Sequence, residues 1–279
     1  MDRSISKTQS ARRVVRSASG SKPRLEGSFE LPNERYARRG SAPQEEQTMP
    51  ASRGRVASSG RINAETFRFF RELSRNNAKE WMDENRERYQ SAVVQPLRGL
   101  LEELTPAVRR LYPAFDVSGR TGVNFSRINR DIRFAKDKTP YRPQMYLMFP
   151  SRGGKNRRPG ELYVGVTEDV VTAGFRAYFD RDTKASALGL RILQAPKWCA
   201  LHKRRIARRY ESYWYSMEKG EWTKNDGWPL TPEEWKKLRA WVVRRKLSPA
   251  AAARQSFPKH VANIFRQVLP LLRFVSHSN

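Results

Sequence analysis

Leu162-Tyr-Val-Gly-Val-Thr-Glu-Asp-Val-Val-Thr-Ala-Gly-Phe-Arg-Ala-Tyr-Phe179 is the stretch that decides the fold. Two β-branched and aromatic runs, Leu162 to Val166 and Val170 to Phe179, flank Glu168-Asp169, which reads as a two-residue hairpin turn although neither residue is glycine. A third run of the same kind, Met145 to Phe149, precedes them. Short apolar runs bounded by Gly, Pro and Asp are strands, and hairpin connections between consecutive strands make their sheet antiparallel.

On both sides of this sheet the hydrophobic period becomes helical. Asn63 is placed to cap a helix carrying Phe67, Phe70 and Leu73, and Asn76-Asn77 ends it. Trp81, Tyr89, Val93, Leu97, Leu100, Leu101 and Leu104 then mark an amphipathic stretch that Pro96 and Pro106 are expected to divide or kink. Glu84 and Arg88 stand at the i,i+4 spacing that pairs opposite charges on a helix surface. Beyond Asp180, helices are predicted over about residues 182–194 and 200–217, the second with Tyr210, Tyr213, Trp214 and Met217 as its core stripe. Another is predicted from the capping box Thr231-Pro-Glu-Glu234, with Trp235, Leu238, Trp241 and Val242 on one face. A last helix carries Phe257, Val261, Ile264, Phe265 and Val268. The expected class is α+β: N-terminal helices, a central mainly antiparallel sheet and C-terminal helices, forming a single domain over residues 61–279.

Residues 1–60 hold only two aromatics, Phe29 and Tyr36, and are expected to be a disordered basic tail. Residues 1–25 carry seven basic side chains and one acid, so an organellar transit peptide and a true start at Met49 stand beside the plain tail as readings. Across all 279 residues, 55 Lys and Arg oppose 28 Asp and Glu, a formal net charge of +27. With 38% hydrophobic residues and 30% charged, the chain is too apolar for a disordered polymer and too charged for an integral membrane protein. Cys199 is the only cysteine, which excludes an internal disulfide and fits a reducing, cytoplasmic setting. Its C-x-x-H partner His202 has no second pair to complete a zinc site, so neither a metal nor a cofactor is expected.

The charge is not evenly spread. Residues 120–160 hold 11 basic side chains and two acidic ones, and residues 231–279 hold ten against two. Within the first of these regions stands Phe125-Ser-Arg-Ile-Asn-Arg-Asp-Ile-Arg-Phe-Ala-Lys-Asp-Lys-Thr-Pro-Tyr-Arg-Pro143. Taken as a strand, it places Ile128, Ile132 and Phe134 on one face and Arg127, Asn129, Asp131 and Arg133 on the other. Asp137-Lys-Thr-Pro140 reads as a turn, because Pro140 keeps Thr139 out of the helical region.

The string from Arg127 to Tyr141, together with Asn76, Asn77, Glu80, Trp81, Asn85, Arg86 and Tyr89, resembles the mainly bacterial family known as domain of unknown function 2461. The resemblance covers about residues 64–191, with an echo in Leu269-Pro-Leu-Leu-Arg-Phe274. Two departures stand out: a glycine-rich spot in the later strands is reduced to Gly174, and residues 195–250 differ from the family pattern. The resemblance implies no activity.

Three functions fit the basic block. Arg127, Arg130, Arg133, Lys136, Lys138 and Arg142 suit a polyanion, a nucleic acid or a phosphate-bearing ligand, since Arg supplies a planar fork for phosphate and Lys a point charge. The basic run Arg204 to Arg209 would be an accessory surface. Alternatively, Asp131 or Asp137 serves as general base or metal ligand in a pocket for an anionic small molecule, with the arginines as an electrostatic clamp. In the third reading the carboxylates neutralise neighbouring bases, and the block is a salt-bridged scaffold in a protein-interaction module.

Overall fold

Asn63 starts the first helix as the sequence predicts. Its side chain accepts from the Glu65 N–H at 2.8 Å, while Thr66 returns a bond to the Asn63 N–H. The computed structural model describes residues 61–133, 137–151, 160–178, 209–216, 221–225 and 238–276. The tail, Cys199, His202, the predicted helix at 182–194 and the Thr231 capping box lie outside them.

Helix α1 (Ala64–Arg75) is followed by α2 (Lys79–Glu84), α3 (Arg86–Tyr89), a π turn (Gln90–Val94) and α4 (Gln95–Leu111). The π turn is where the long amphipathic stretch is adjusted, and the Thr66 hydroxyl donates to the Ala92 carbonyl there at 2.6 Å. Pro96 follows the π turn within a helical chain that continues from α3, so its missing N–H leaves a gap in the ladder, and the Ala92 carbonyl four residues before it is met by the Thr66 hydroxyl instead; Pro106 lies inside α4 without ending it. The expected Glu84–Arg88 pairing is not what forms: Arg88 instead joins α3 to α1, binding Glu65 at 2.5 Å and also Glu72. Two carboxylates on the neighbouring helix converge on one guanidinium, a better arrangement than a solvated i,i+4 contact.

The strands are β1 (Met145–Pro150), β2 (Gly160–Val166), β3 (Val171–Tyr178), β4 (Glu211–Ser216), β5 (Glu221–Asn225) and β6 (Leu238–Leu247). They form one antiparallel sheet in the order β1-β2-β3-β6-β4-β5. Glu168 and Asp169 lie at the tip of the β2–β3 hairpin, where Thr167 N–H donates to the Val170 carbonyl at 3.0 Å. Short helix α5 (Pro249–Ala252) leads into α6 (Phe257–Ser276). The helical layer meets one face of the sheet through Leu147, Phe149, Leu162, Val164, Phe175 and Trp241, all buried with Val261, Ile264, Phe265 and Val268 of α6. Phe149 and Phe265 meet edge to face at 5.6 Å.

Two predicted helices are strands. Tyr213 and Trp214 belong to β4, and Leu238, Trp241 and Val242 to β6. Both faces of this part of the sheet are buried and both carry aromatic residues, so the period-two signal of a half-solvated strand is missing and chance spacings resemble a helix. The basic block is not a continuous strand either. Its described residues form isolated bridges, Phe125 to Thr121 and Leu147 and Asn129 to Tyr141.

Gly174 explains how β6 reaches the middle of the sheet. A Cβ there would stand 1.9 Å from the Val243 carbonyl oxygen, a backbone atom that cannot move aside without breaking the β3–β6 ladder. At Gly165 the obstacles would be the Tyr146 ring at 2.7 Å and the Thr172 hydroxyl at 2.9 Å, side-chain atoms and not backbone. Gly174→Ala is therefore expected to cost about 3 kcal/mol and Gly165→Ala about 1 kcal/mol, read from urea midpoints of the two variants.

Candidate functional site

The chain leading into the signature segment covers an edge of the sheet. Asn124, fully buried, donates to the carbonyls of Asp116 and Met148 at 2.7 and 2.9 Å and accepts from Gly119 N–H at 2.9 Å. Ser126 N–H then bonds the Tyr146 carbonyl, and Tyr146 N–H bonds the Ser126 hydroxyl. The outer side of β1 is thereby paired.

From there the chain makes two arms, residues 127–133 and 137–142. They are held together by Arg142 N–H to the Ile128 carbonyl and Arg130 N–H to the Pro140 carbonyl, each at 2.8 Å. Ile128 points into the core while Arg127 and Asn129 are exposed, so strand-like alternation holds at the start of the first arm. It fails at Arg130, which folds back between the arms. The second arm is fastened to the helices by Asn77, whose side-chain amide donates to the Tyr141 carbonyl at 2.9 Å and accepts from its N–H at 3.0 Å. An amide side chain thus replaces the peptide of a missing strand. Arg86, bound to Asp83 at 2.7 Å, lies beside Tyr141.

The site residues predicted from sequence divide into two sets. Arg130, only 14% exposed, donates to Asp137 at 2.7 Å and to the Thr139 hydroxyl at 2.5 Å. Asp137 in turn accepts from the Thr139 N–H and hydroxyl at 3.0 and 2.8 Å. The Thr139 backbone N–H first, then the Arg130 guanidinium and the Thr139 hydroxyl, hold the Asp137 carboxyl well below the usual carboxylate range. These three residues lock the turn. The second set faces outward. Arg133 is 71% exposed and grips Asp131 bidentately, Nε to Oδ1 at 2.9 Å and Nη2 to Oδ2 at 2.8 Å. Lys138 is exposed and reaches the Ile132 carbonyl at 3.1 Å, and Arg142 donates to the Asn129 carbonyl at 2.8 Å. Arg127 is exposed and its side chain has no partner among the described residues. Lys136 lies outside the described residues, as does most of the Arg204–Arg209 run, of which Arg209 is exposed.

Sequence reasoning missed a second group of charges. Arg176 of β3 and Arg244 of β6 are buried on the sheet face opposite the helices, paired with Glu161 at 2.6 Å and Glu211 at 3.0 Å. A signal for the first was legible: in Val171–Tyr178, Thr172, Gly174, Arg176 and Tyr178 alternate with Val171, Ala173, Phe175 and Ala177, so the charge shares a face with the polar residues. Arg244 was hidden by the helical reading of β6. Among the described residues no group of three His, Cys, Asp or Glu side chains is arranged to hold a metal, and no helix is long and apolar enough to cross a membrane.

The structure is thus an α+β protein with one six-stranded antiparallel sheet, a helical layer on one face and a basic loop fastened to both. Residues 65–274 match the family described as conserved hypothetical protein (DUF2461), and the chain belongs to that family. The match runs through residues 195–250, where the sequence pattern looked foreign to it. No curated protein matches the chain.

Two outcomes are expected. Asn77→Ala removes both bonds to the Tyr141 peptide and should destabilise the fold by about 1–3 kcal/mol, with the urea m-value unchanged. Asp137 has a lower pKa folded than unfolded, so its stabilising contribution is complete above about pH 4 and is lost as pH falls toward the folded value. Glu72 and Glu211 are lowered as well, by Arg88 and Arg244 respectively, although burial opposes the shift at Glu211. The parent should therefore lose stability progressively in acid, and Asp137→Asn should lose less over the same range in denaturant titrations at several pH values.

Proposed function

We propose that this protein binds a polyanion, nucleic acid or another phosphate-bearing chain, on the outer side of the 127–142 loop. Arg127, Arg133, Lys138 and Arg142 would make the contacts. The observation that carries the reading is the division of labour within the block: Arg130, Asp137 and Thr139 turn inward and set the loop's shape, while Arg127, Arg133 and Lys138 are left exposed on it. A charged loop held by its own inner bonds presents cations with less ordering cost on binding than a free one would. Asp131 partly screens Arg133, but phosphate can replace a solvated carboxylate on a guanidinium fork, because exposed ion pairs contribute little.

The enzyme reading draws less from the same geometry. A general base needs a pKa near the working pH, and Asp137 is pushed in the opposite direction by three hydrogen bonds, while Asp131 is held bidentately by Arg133.

Binding of labelled single- and double-stranded oligonucleotides across a salt series tests the proposal. Affinity should fall linearly in log–log form with salt. The slope should become shallower by roughly 1 to 2 in the folded variant Arg127→Ala/Arg133→Ala, which removes two phosphate contacts. Absence of salt-sensitive binding, or an unchanged slope in the variant, would overturn it.

A further inference from the structure

The sheet face turned away from the helices has a chemistry that the basic loop does not explain. Its residues follow from the register. Glu161, Arg176, Val242 and Tyr213 form one cross-strand row; Met148, Tyr163, Gly174, Arg244 and Glu211 form the next; Tyr146, Gly165, Thr172 and Lys246 form a third. Arg176 and Arg244 are diagonal neighbours on adjacent strands, roughly 7–8 Å apart along the sheet. Tyr163 stands opposite Gly174, beside both of them. In an ordinary sandwich this face would be aliphatic, yet it buries two guanidiniums.

Burying a guanidinium is costly unless its donors are well met, and Arg176 is met unevenly. It is 10% exposed at the side chain. Its Nε donates to Glu161 Oε1 at 2.6 Å, and Nη2 is directed at the Met148 thioether at 2.7 Å. Sulfur in a thioether is a weak acceptor, far poorer than a carboxylate or phosphate oxygen. Glu161 meets the guanidinium at Nε, while Nη2, which a two-bond Arg–carboxylate fork would also engage, faces Met148. Desolvation opposes the charge on Arg176, but Tyr178, Glu161 and Tyr146 outweigh it, so the group stays ionised.

Around this cation the rings of Tyr146, Tyr163 and Tyr178 lie with centroids 4.8, 5.4 and 5.7 Å from the guanidinium carbon, and Arg244 lies 4.7 Å from the Tyr213 ring. Gly165 is what lets Tyr146 lean over: a Cβ there would meet that ring. Tyr146 and Tyr178 are half-buried, so the aromatic wall reaches solvent at its rim, where Lys246 is also half-exposed. A fixed guanidinium among tyrosine rings, with a second cation a diagonal step away, offers the charge and the donors that a small oxyanion needs.

We propose that Arg176, with Arg244 beside it, forms a binding site for the oxyanion group of a small molecule, a phosphate or a carboxylate, whose oxygen replaces the Met148 sulfur on Nη2. Tyr146 and Tyr178 would flank the ligand, and Met148, unbranched and flexible, would swing aside. This site lies on the sheet and does not depend on the basic loop.

The test uses the full chain with inorganic phosphate and with succinate, each against chloride at equal ionic strength, followed by thermal unfolding and calorimetric titration. Phosphate, succinate or both should raise the unfolding temperature of the parent beyond chloride, in proportion to the logarithm of concentration once the site is saturated. Which anion acts distinguishes the two ligand sources. Arg176→Lys keeps the charge beside Glu161 but lacks the fork; Arg176→Met/Glu161→Gln removes the pair together and leaves no lone buried charge. Whichever variant is folded by circular dichroism should bind at least about tenfold more weakly, the loss expected for a charge-assisted hydrogen bond. Arg127→Ala/Arg133→Ala should bind the small anion as the parent does, so failure of the loop proposal leaves this result unaffected. No shift beyond chloride with either anion, or parent-like affinity in a folded Arg176 variant, overturns the proposal.

Discussion

The close approach of β6 to β3 at Gly174 is the constraint from which most of this molecule follows. With no Cβ between them, the Val243 carbonyl reaches the β3 backbone, and a strand from late in the chain takes the central position beside one formed more than sixty residues earlier. That insertion puts Trp241 against Phe175, their rings 4.8 Å apart and nearly perpendicular, on the face that receives α6. It also puts Arg244 opposite Gly174 on the other face. Gly174 is accounted for by this backbone contact.

The sheet then separates two kinds of surface. Towards the helices it is aliphatic and aromatic, and burial of that layer is the main stabilising term. Away from them it is built of arginine, tyrosine and glutamate, where each buried charge has to be matched locally. The basic loop is a third element, attached to the edge of β1 by Asn124 and Ser126 and to the helices by Asn77. In this arrangement Asn124 and Asn77 are connectors. Their amides offer a donor and an acceptor in one plane, as a peptide does, so a single side chain can satisfy two backbone groups that no strand reaches.

Much of this was legible beforehand. The Asn63 cap, the hairpin tip at Glu168-Asp169, the first three strands and the final helix all announce themselves through local chemistry or period. The basic block was legible as a unit but not in its roles: identical residue types three positions apart, Arg130 and Arg133, end in opposite environments because only one of them meets Asp137 and Thr139. Arg88 chose Glu65 and Glu72 over Glu84 for a comparable reason, since the packing of α1 brings two carboxylates to it at once.

By itself the sequence determined the α+β class, the antiparallel hairpin at its centre, the family signature and the concentration of charge around residues 120–160, because these depend on neighbours within a turn or a hairpin. Tertiary structure alone decided that Tyr213, Trp214, Trp241 and Val242 lie in strands, that β6 sits between β3 and β4, and that two guanidiniums share a buried face. The reason is physical: strand pairing is made between residues distant in the chain, and where both faces of a sheet are buried the alternation that would mark a strand from sequence is absent.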